Sequence, residues 1–68
     1  MSSDGPWPEC LGVSGDICVA LIENAAPDLI GQVKVVQPGS VVTMDYNENR
    51  VRVYVDANGI VDRVPNRG

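Results

Sequence analysis

Arg50-Val51-Arg52-Val53-Tyr54-Val55 is the most informative run in this 68-residue chain. Valines alternate with two arginines and a tyrosine. Val51, Val53 and Val55 therefore project to one side of an extended backbone, and Arg50, Arg52 and Tyr54 to the other. β-branched residues at period two predict a half-buried strand over residues 50–55. Downstream, Asp56-Ala57-Asn58-Gly59 reads as a turn, because Asn-Gly is a strong hairpin signal. Ile60 to Val64 then reads as a short third strand, stopped by Pro65. Upstream, Gln32 to Gln37 (QVKVVQ) is β-branched and alternates, so it predicts another strand. Further back, Ser14 stands where a helix N-cap is expected, and Asp16 places negative charge in the first turn. Ile17, Cys18, Leu21, Ile22 and Ala25 recur at three- and four-residue spacing, one face of an amphipathic helix. Pro27 pushes Ala26 out of helical dihedrals, so the helix is predicted from about Gly15 to Ala25.

Composition narrows what such a chain can do. A domain of this length buries only about 60% of the surface its unfolded chain exposes, so its core is marginal. Nine acidic residues outnumber five basic ones, for a net charge of −4. That balance has no basic stripe for nucleic acid. Histidine is absent, which removes the commonest general base and neutral metal ligand. Two cysteines cannot close a four-ligand zinc site alone. Glu9, Asp16 and Glu23 show no spacing suited to carboxylate-pair or metal chemistry, so neither a cofactor nor an enzyme's machinery is expected. No run approaches the ~20 apolar residues of a membrane span, so no membrane partner is expected. Met1 to Pro6 reads as a flexible arm of turn formers ahead of the domain, with no secretory signal visible. Trp7, the only tryptophan, is expected to pack on the core.

One segment does not fit a hairpin. Pro38 to Asn49 puts a dozen residues between the two best strands, long for a compact domain, and such loops are often functional. Met44 within it would ordinarily be a core gap-filler, yet its neighbours are polar. Arg50 and Arg52 could be a solvated strand face, where surface pairs are worth only ~0–1 kcal/mol. Alternatively the loop covers that face, and the planar guanidinium forks hold carboxylate and carbonyl groups, with Asp45 as the obvious carboxylate. Cys10 and Cys18 are either buried thiols or a disulfide joining the incoming segment to the helix. Sequence leaves that choice open, since it turns on Cα atoms approaching within ~7 Å.

Four stretches together resemble one family. They are Trp7-Pro8-Glu9, Gly39-Ser40-Val41-Val42-Thr43-Met44-Asp45-Tyr46, Arg50 to Val55, and the closing Val64-Pro65-Asn66-Arg67-Gly68. All are similar to the potato inhibitor I family of serine protease inhibitors. The resemblance implies a single α+β domain over residues 7–68: one helix packed on a small mixed β-sheet, with a long exposed protease-binding loop. It implies that Met44 fills a protease's primary pocket and that Asp45 follows the scissile bond. Val42, Thr43, Tyr46 and Asn47 would complete the binding loop. Arg50 and Arg52 would brace Thr43 and Asp45, and the Gly68 carboxylate would help hold Arg50. The implied partners are serine endopeptidases, subtilisin-like and chymotrypsin-like, with elastase-like enzymes as a further class, met by a monomer. Trypsin fits poorly, because its pocket needs a cation. A secreted or vacuolar residence accords with the resemblance but has no signal in the chain.

The sequence also departs from that family. Many members tie arm to loop by a disulfide; the loop position corresponds to Glu48 and the arm position falls near Met1, so that bond cannot form here. Cys10 and Cys18 stand where relatives carry small or apolar residues, and the stretch from Asp28 to Pro38 is longer than usual. A non-inhibitory interaction or storage protein that kept the fold is the alternative that the missing loop disulfide raises.

Overall fold

The computed structural model describes residues 5–43 and 45–67. Helix α1 spans Gly15–Ala25. The Ser14 Oγ accepts a hydrogen bond from the Ile17 N–H at 3.3 Å, which satisfies one of the orphan donors of the first turn. Ala26 leaves the helical region at φ −135°, ψ 83°, as the following proline requires. A 3-10 turn over Pro27–Leu29 then buries Leu29.

Strands β1 (Val33–Val36) and β2 (Val51–Tyr54) pair in parallel, with Val33 opposite Val51 and Val36 opposite Tyr54. A parallel pair needs a return connection of a dozen or more residues. This accounts for the length of the segment between the strands, which no hairpin would require. The predicted third strand, Ile60 to Val64, is reduced to two antiparallel bridges: Ser14 with Ile60, and Val55 with Val61. Its turn forms as read. Asp56 Oδ1 accepts from the Asn58 and Ile60 N–H groups at 2.8 and 3.0 Å, and Gly59 takes φ +78°. Pairing stops once the Asp62 N–H has donated to the Tyr54 carbonyl, and Pro65 has no N–H to resume it.

The core lies between α1 and the inner face of the sheet. Trp7, Ile22, Leu29, Val51, Val53 and Val61 are fully buried there. On α1, Cys18 and Ile22 are buried and Leu21 and Ala25 half-buried, but Ile17 is 59% exposed. A two-stranded sheet is too narrow to cover the whole predicted apolar face, so α1 seats only the stripe through Gly15, Cys18 and Ile22. Gly15 permits this approach: a Cβ there would stand 3.0 Å from Val55 Cγ1 and 3.3 Å from Val35 Cγ2. Cys10 and Cys18 form a disulfide with Cα atoms 5.1 Å apart. It ties the 3-10 turn Pro8–Cys10 to α1 in the centre of the core. The Trp7 N–H donates to the Pro65 carbonyl and joins the two ends of the domain. Of the six residues read as an arm, the first four lie outside the described residues. Gly5 already packs closely on the Trp7 ring.

Candidate functional site

The outer face of β2 carries Arg50, Arg52 and Tyr54, all half-buried. What covers them is the connection between the strands. Two turns frame it. The ascending limb turns at Gln37–Ser40, where the Ser40 N–H donates to the Gln37 carbonyl. The descending limb turns at Asn47–Arg50, closed by the Arg50 N–H on the Asn47 carbonyl at 3.1 Å. The Asn47 side-chain oxygen also accepts from the Asn49 N–H at 2.9 Å, an Asx turn that fixes the bend locally.

Between these turns the loop projects outward. Val41 is 99% exposed and Tyr46 72% exposed, with Val42 half-buried below them. Among the described residues, no main-chain to main-chain hydrogen bond reaches Val41, Val42, Thr43, Asp45 or Tyr46. The carbonyls of Thr43 and Asp45 are held by arginines instead. Arg52 Nη1 donates to the Thr43 carbonyl at 2.9 Å, and Nη2 to the Thr43 hydroxyl at 2.6 Å. Arg50 Nη2 donates to the Asp45 carbonyl at 2.8 Å, and Nη1 reaches the Asp45 carboxylate at 3.4 Å. The two guanidinium groups thus grip the residues on either side of position 44. Their spacing of two along one strand is what places both on one face.

Asp45 is stabilised as the anion. Its carboxyl is held below the ordinary carboxylate range, first by the Thr43 hydroxyl, which outweighs an opposing effect of desolvation, and then by its own backbone N–H and by Arg50. Thr43 therefore bears on both clamps: its hydroxyl accepts from Arg52 and helps lower the Asp45 carboxyl.

The residues singled out by sequence fall into three groups. Val42, Thr43, Asp45, Tyr46 and Asn47 lie along the loop, and Arg50 and Arg52 beneath it. Cys10 and Cys18 lie in the core rather than at the loop. Met44 and Gly68 lie outside the described residues. A further residue, Arg67, went unread. Its Nη1 donates to the Glu48 carbonyl at 2.9 Å, and its Nη2 pairs with Asp28 at 3.3 Å. Nothing in local spacing marks it, because those partners lie 19 and 39 residues away. The site is convex. A cavity of about 470 Å³ lies beside the ascending limb between Pro38, Tyr54 and Arg63 and is open to solvent. Among the described residues no group of three or more His, Cys, Asp or Glu side chains could hold a metal ion. Chemically, the arrangement can present an extended segment of main chain to another protein.

A model of the potato inhibitor I family matches residues 2–68. The chain belongs to the potato inhibitor I family. It is 48% identical over 61 residues to "Protease inhibitor HPI" of Hevea brasiliensis, covering 87% of this chain and 81% of that protein. It is 41% identical over 63 residues to "Subtilisin inhibitor CLSI-I" of Canavalia lineata, covering 91% of each. Its fold superposes on the crystal structure of the bitter gourd trypsin inhibitor with a TM-score of 0.83 at 37% identity, covering 91% of this chain and 88% of the other. As a potato inhibitor I protein, the chain is a protease inhibitor and not an enzyme, with the α+β architecture of the family's solved structures.

Proposed function

We propose that this potato inhibitor I protein blocks serine endopeptidases of the subtilisin-like and chymotrypsin-like classes, with elastase-like enzymes as a further target. It does so as a monomer. Met44 enters the primary specificity pocket, and Met44–Asp45 is the bond offered for cleavage. Val42, Thr43, Tyr46 and Asn47 extend the contact to either side. The observation that carries the reading is the double clamp: Arg52 on Thr43 and Arg50 on Asp45 immobilise both flanks of position 44. Gly68 contributes to holding Arg50.

Clamping matters because ordering a backbone costs ~1–2 kcal/mol per residue. A loop already held in place meets that cost on folding, so less is lost when the protease docks. The main chain of Val41, Val42 and Tyr46, which makes no main-chain hydrogen bond among the described residues, can pair with the protease's own main chain. If the bond is cut, both new ends stay tethered, Thr43 by Arg52 and Asp45 by Arg50, and religation competes with release. Met44 selects the target class. Its unbranched apolar side chain suits a deep apolar pocket, whereas trypsin's pocket needs a cation. The names of the relatives include both subtilisin and trypsin, so the pocket residue is what separates those targets for this chain.

The test is a titration of the purified protein against subtilisin, chymotrypsin, pancreatic elastase and trypsin. Stoichiometric inhibition of the first two is expected, with trypsin weakest. Long incubation should yield a single cut between Met44 and Asp45 by mass spectrometry. Failure to inhibit any of the four would refute the reading.

A further inference from the structure

Arg50 and Arg52 hold the loop at its crest, but the descending limb has a clamp of its own. We propose that Arg67 is a third positioning residue for inhibition, fixing the Asn47–Arg50 turn to the body of the domain through the Glu48 carbonyl. This rests on the inhibitor reading above.

Three observations converge on it. First, the turn needs an external hold. Its internal bonds, Asn49 N–H to Asn47 Oδ1 and Arg50 N–H to the Asn47 carbonyl, fix its shape but not its orientation. In such a turn the carbonyl of the second residue points away from the closing bond. For this turn that carbonyl belongs to Glu48, and Arg67 Nη1 takes it at 2.9 Å. Second, Arg67 is itself immobilised. Its backbone bridges Val51 at the start of β2, and its N–H donates to the Asn66 side-chain oxygen at 2.9 Å. Its side chain is only 15% exposed. Third, the far side of the guanidinium is anchored. Nη2 pairs with Asp28 at 3.3 Å, and Asp28 sits in the 3-10 turn between Pro27 and the buried Leu29. One planar group therefore joins the C-terminal segment, the turn after α1 and the limb of the loop. A fork with donors aimed at two acceptors can do this, and a lysine ammonium cannot do it with the same geometry. Glu48 is where many relatives carry a cysteine bonded to the arm. Here the same shoulder of the loop is held without a covalent bond.

The crest clamps act on Thr43 and Asp45, and the third acts five residues or fewer further along the chain. If the descending turn pivoted, Asp45 and Tyr46 would be free to swing about Arg50. Removing Arg67 should therefore loosen residues 46–49 in the free protein and weaken binding, while leaving β2 rigid.

The experiment compares the full-length parent with Arg67→Ala and with Asp28→Asn, a substitution at an exposed side chain that leaves the fold intact. Inhibition constants against subtilisin are measured together with backbone amide order parameters of the free proteins. A Val33→Ala variant, weakened in the core, reports what a loss of overall stability alone does. Arg67→Ala is expected to raise the inhibition constant about tenfold and to speed cleavage of the loop. The order parameters of Tyr46 to Asn49 should fall from about 0.85 to below about 0.6. Asp28→Asn should raise the constant about two- to threefold, in line with a partly exposed pair. Val33→Ala should change neither readout. Should Arg67→Ala fail to fold, Asp28→Asn decides by the same two readouts. Order parameters and inhibition constants that match the parent overturn the clamp. A parent that inhibits no protease overturns the inhibitor reading, and with it the role in inhibition; the order parameters then decide whether Arg67 holds the loop at all.

Discussion

On one side of β2, Val51, Val53 and Val55 are buried beneath α1, with the Cys10–Cys18 disulfide beside them. On the other side, Arg50 and Arg52 hold a loop whose outermost residue, Val41, is almost entirely in solvent. The first region is secured by apolar burial and a covalent bond, which act without regard to direction in the one case and permanently in the other. The second is secured by directional, charge-assisted hydrogen bonds at the edge of water. The valines determine whether the domain folds. The arginines determine what shape one exposed segment takes once it has folded. On the proposed reading, a 68-residue chain keeps stability and recognition on opposite faces of a single strand, and each should respond to changes that leave the other alone.

Met44→Lys offers the strongest break, because it changes the residue proposed for the pocket and leaves Arg50 and Arg52 in place. An ammonium left unpaired in an apolar pocket is penalised heavily, so inhibition of chymotrypsin and subtilisin should fall by about 100-fold or more. Trypsin inhibition should rise, and the urea midpoint should not move. An unchanged profile across the three enzymes would show that Met44 is not the pocket residue.

The converse variant removes the core staple. Cys10→Ala combined with Cys18→Ala opens a short covalent loop and should cost about 2.5 kcal/mol of stability, read from urea denaturation. The inhibition constant at 25 °C should stay within about twofold, since neither cysteine touches the loop. A protein that remains folded but loses inhibition would mean the two regions are coupled through α1.

Arg52→Ala tests the polar side directly. The far-ultraviolet circular dichroism should match the parent, inhibition should weaken about tenfold (~1.4 kcal/mol), and the variant should be cut between Met44 and Asp45. Tight, cleavage-resistant binding by the folded variant would contradict the double clamp.

Acid should give the smallest effect and separate the regions without mutation. The Asp45 carboxyl is held below its ordinary value in the folded protein. Its contribution to loop order is therefore complete above the unfolded value near 3.9 and is lost as pH falls through the lowered folded value. Amide resonances of Asp45 and Tyr46 should shift only below about pH 4, with those of Val51, Val53 and Ile22 unmoved. A loop transition centred above that range would show that Asp45 is not the group responsible.

Much of both regions can be read in the chain. The Ser14 cap, the bounds of α1, the inward valines of β2 and the turn at Gly59 follow from local spacing and local backbone preference. So does the shared face of Arg50 and Arg52. Family resemblance in four stretches suggested the role proposed for the loop, which periodicity does not contain. Ile17 was misread as part of the packed face because its spacing says which side of a helix it occupies, but not how wide a sheet lies beneath.

Dihedral preference and side-chain alternation are properties of neighbouring residues, so they survive in a linear sequence. They account for where the elements begin and end and which way each side chain faces. The parallel pairing of β1 with β2, the closing of Cys10 on Cys18 and the reach of Arg67 to Glu48 and Asp28 depend on distances between segments far apart in the chain. Packing α1 on the sheet sets those distances, and no spacing in the sequence records them.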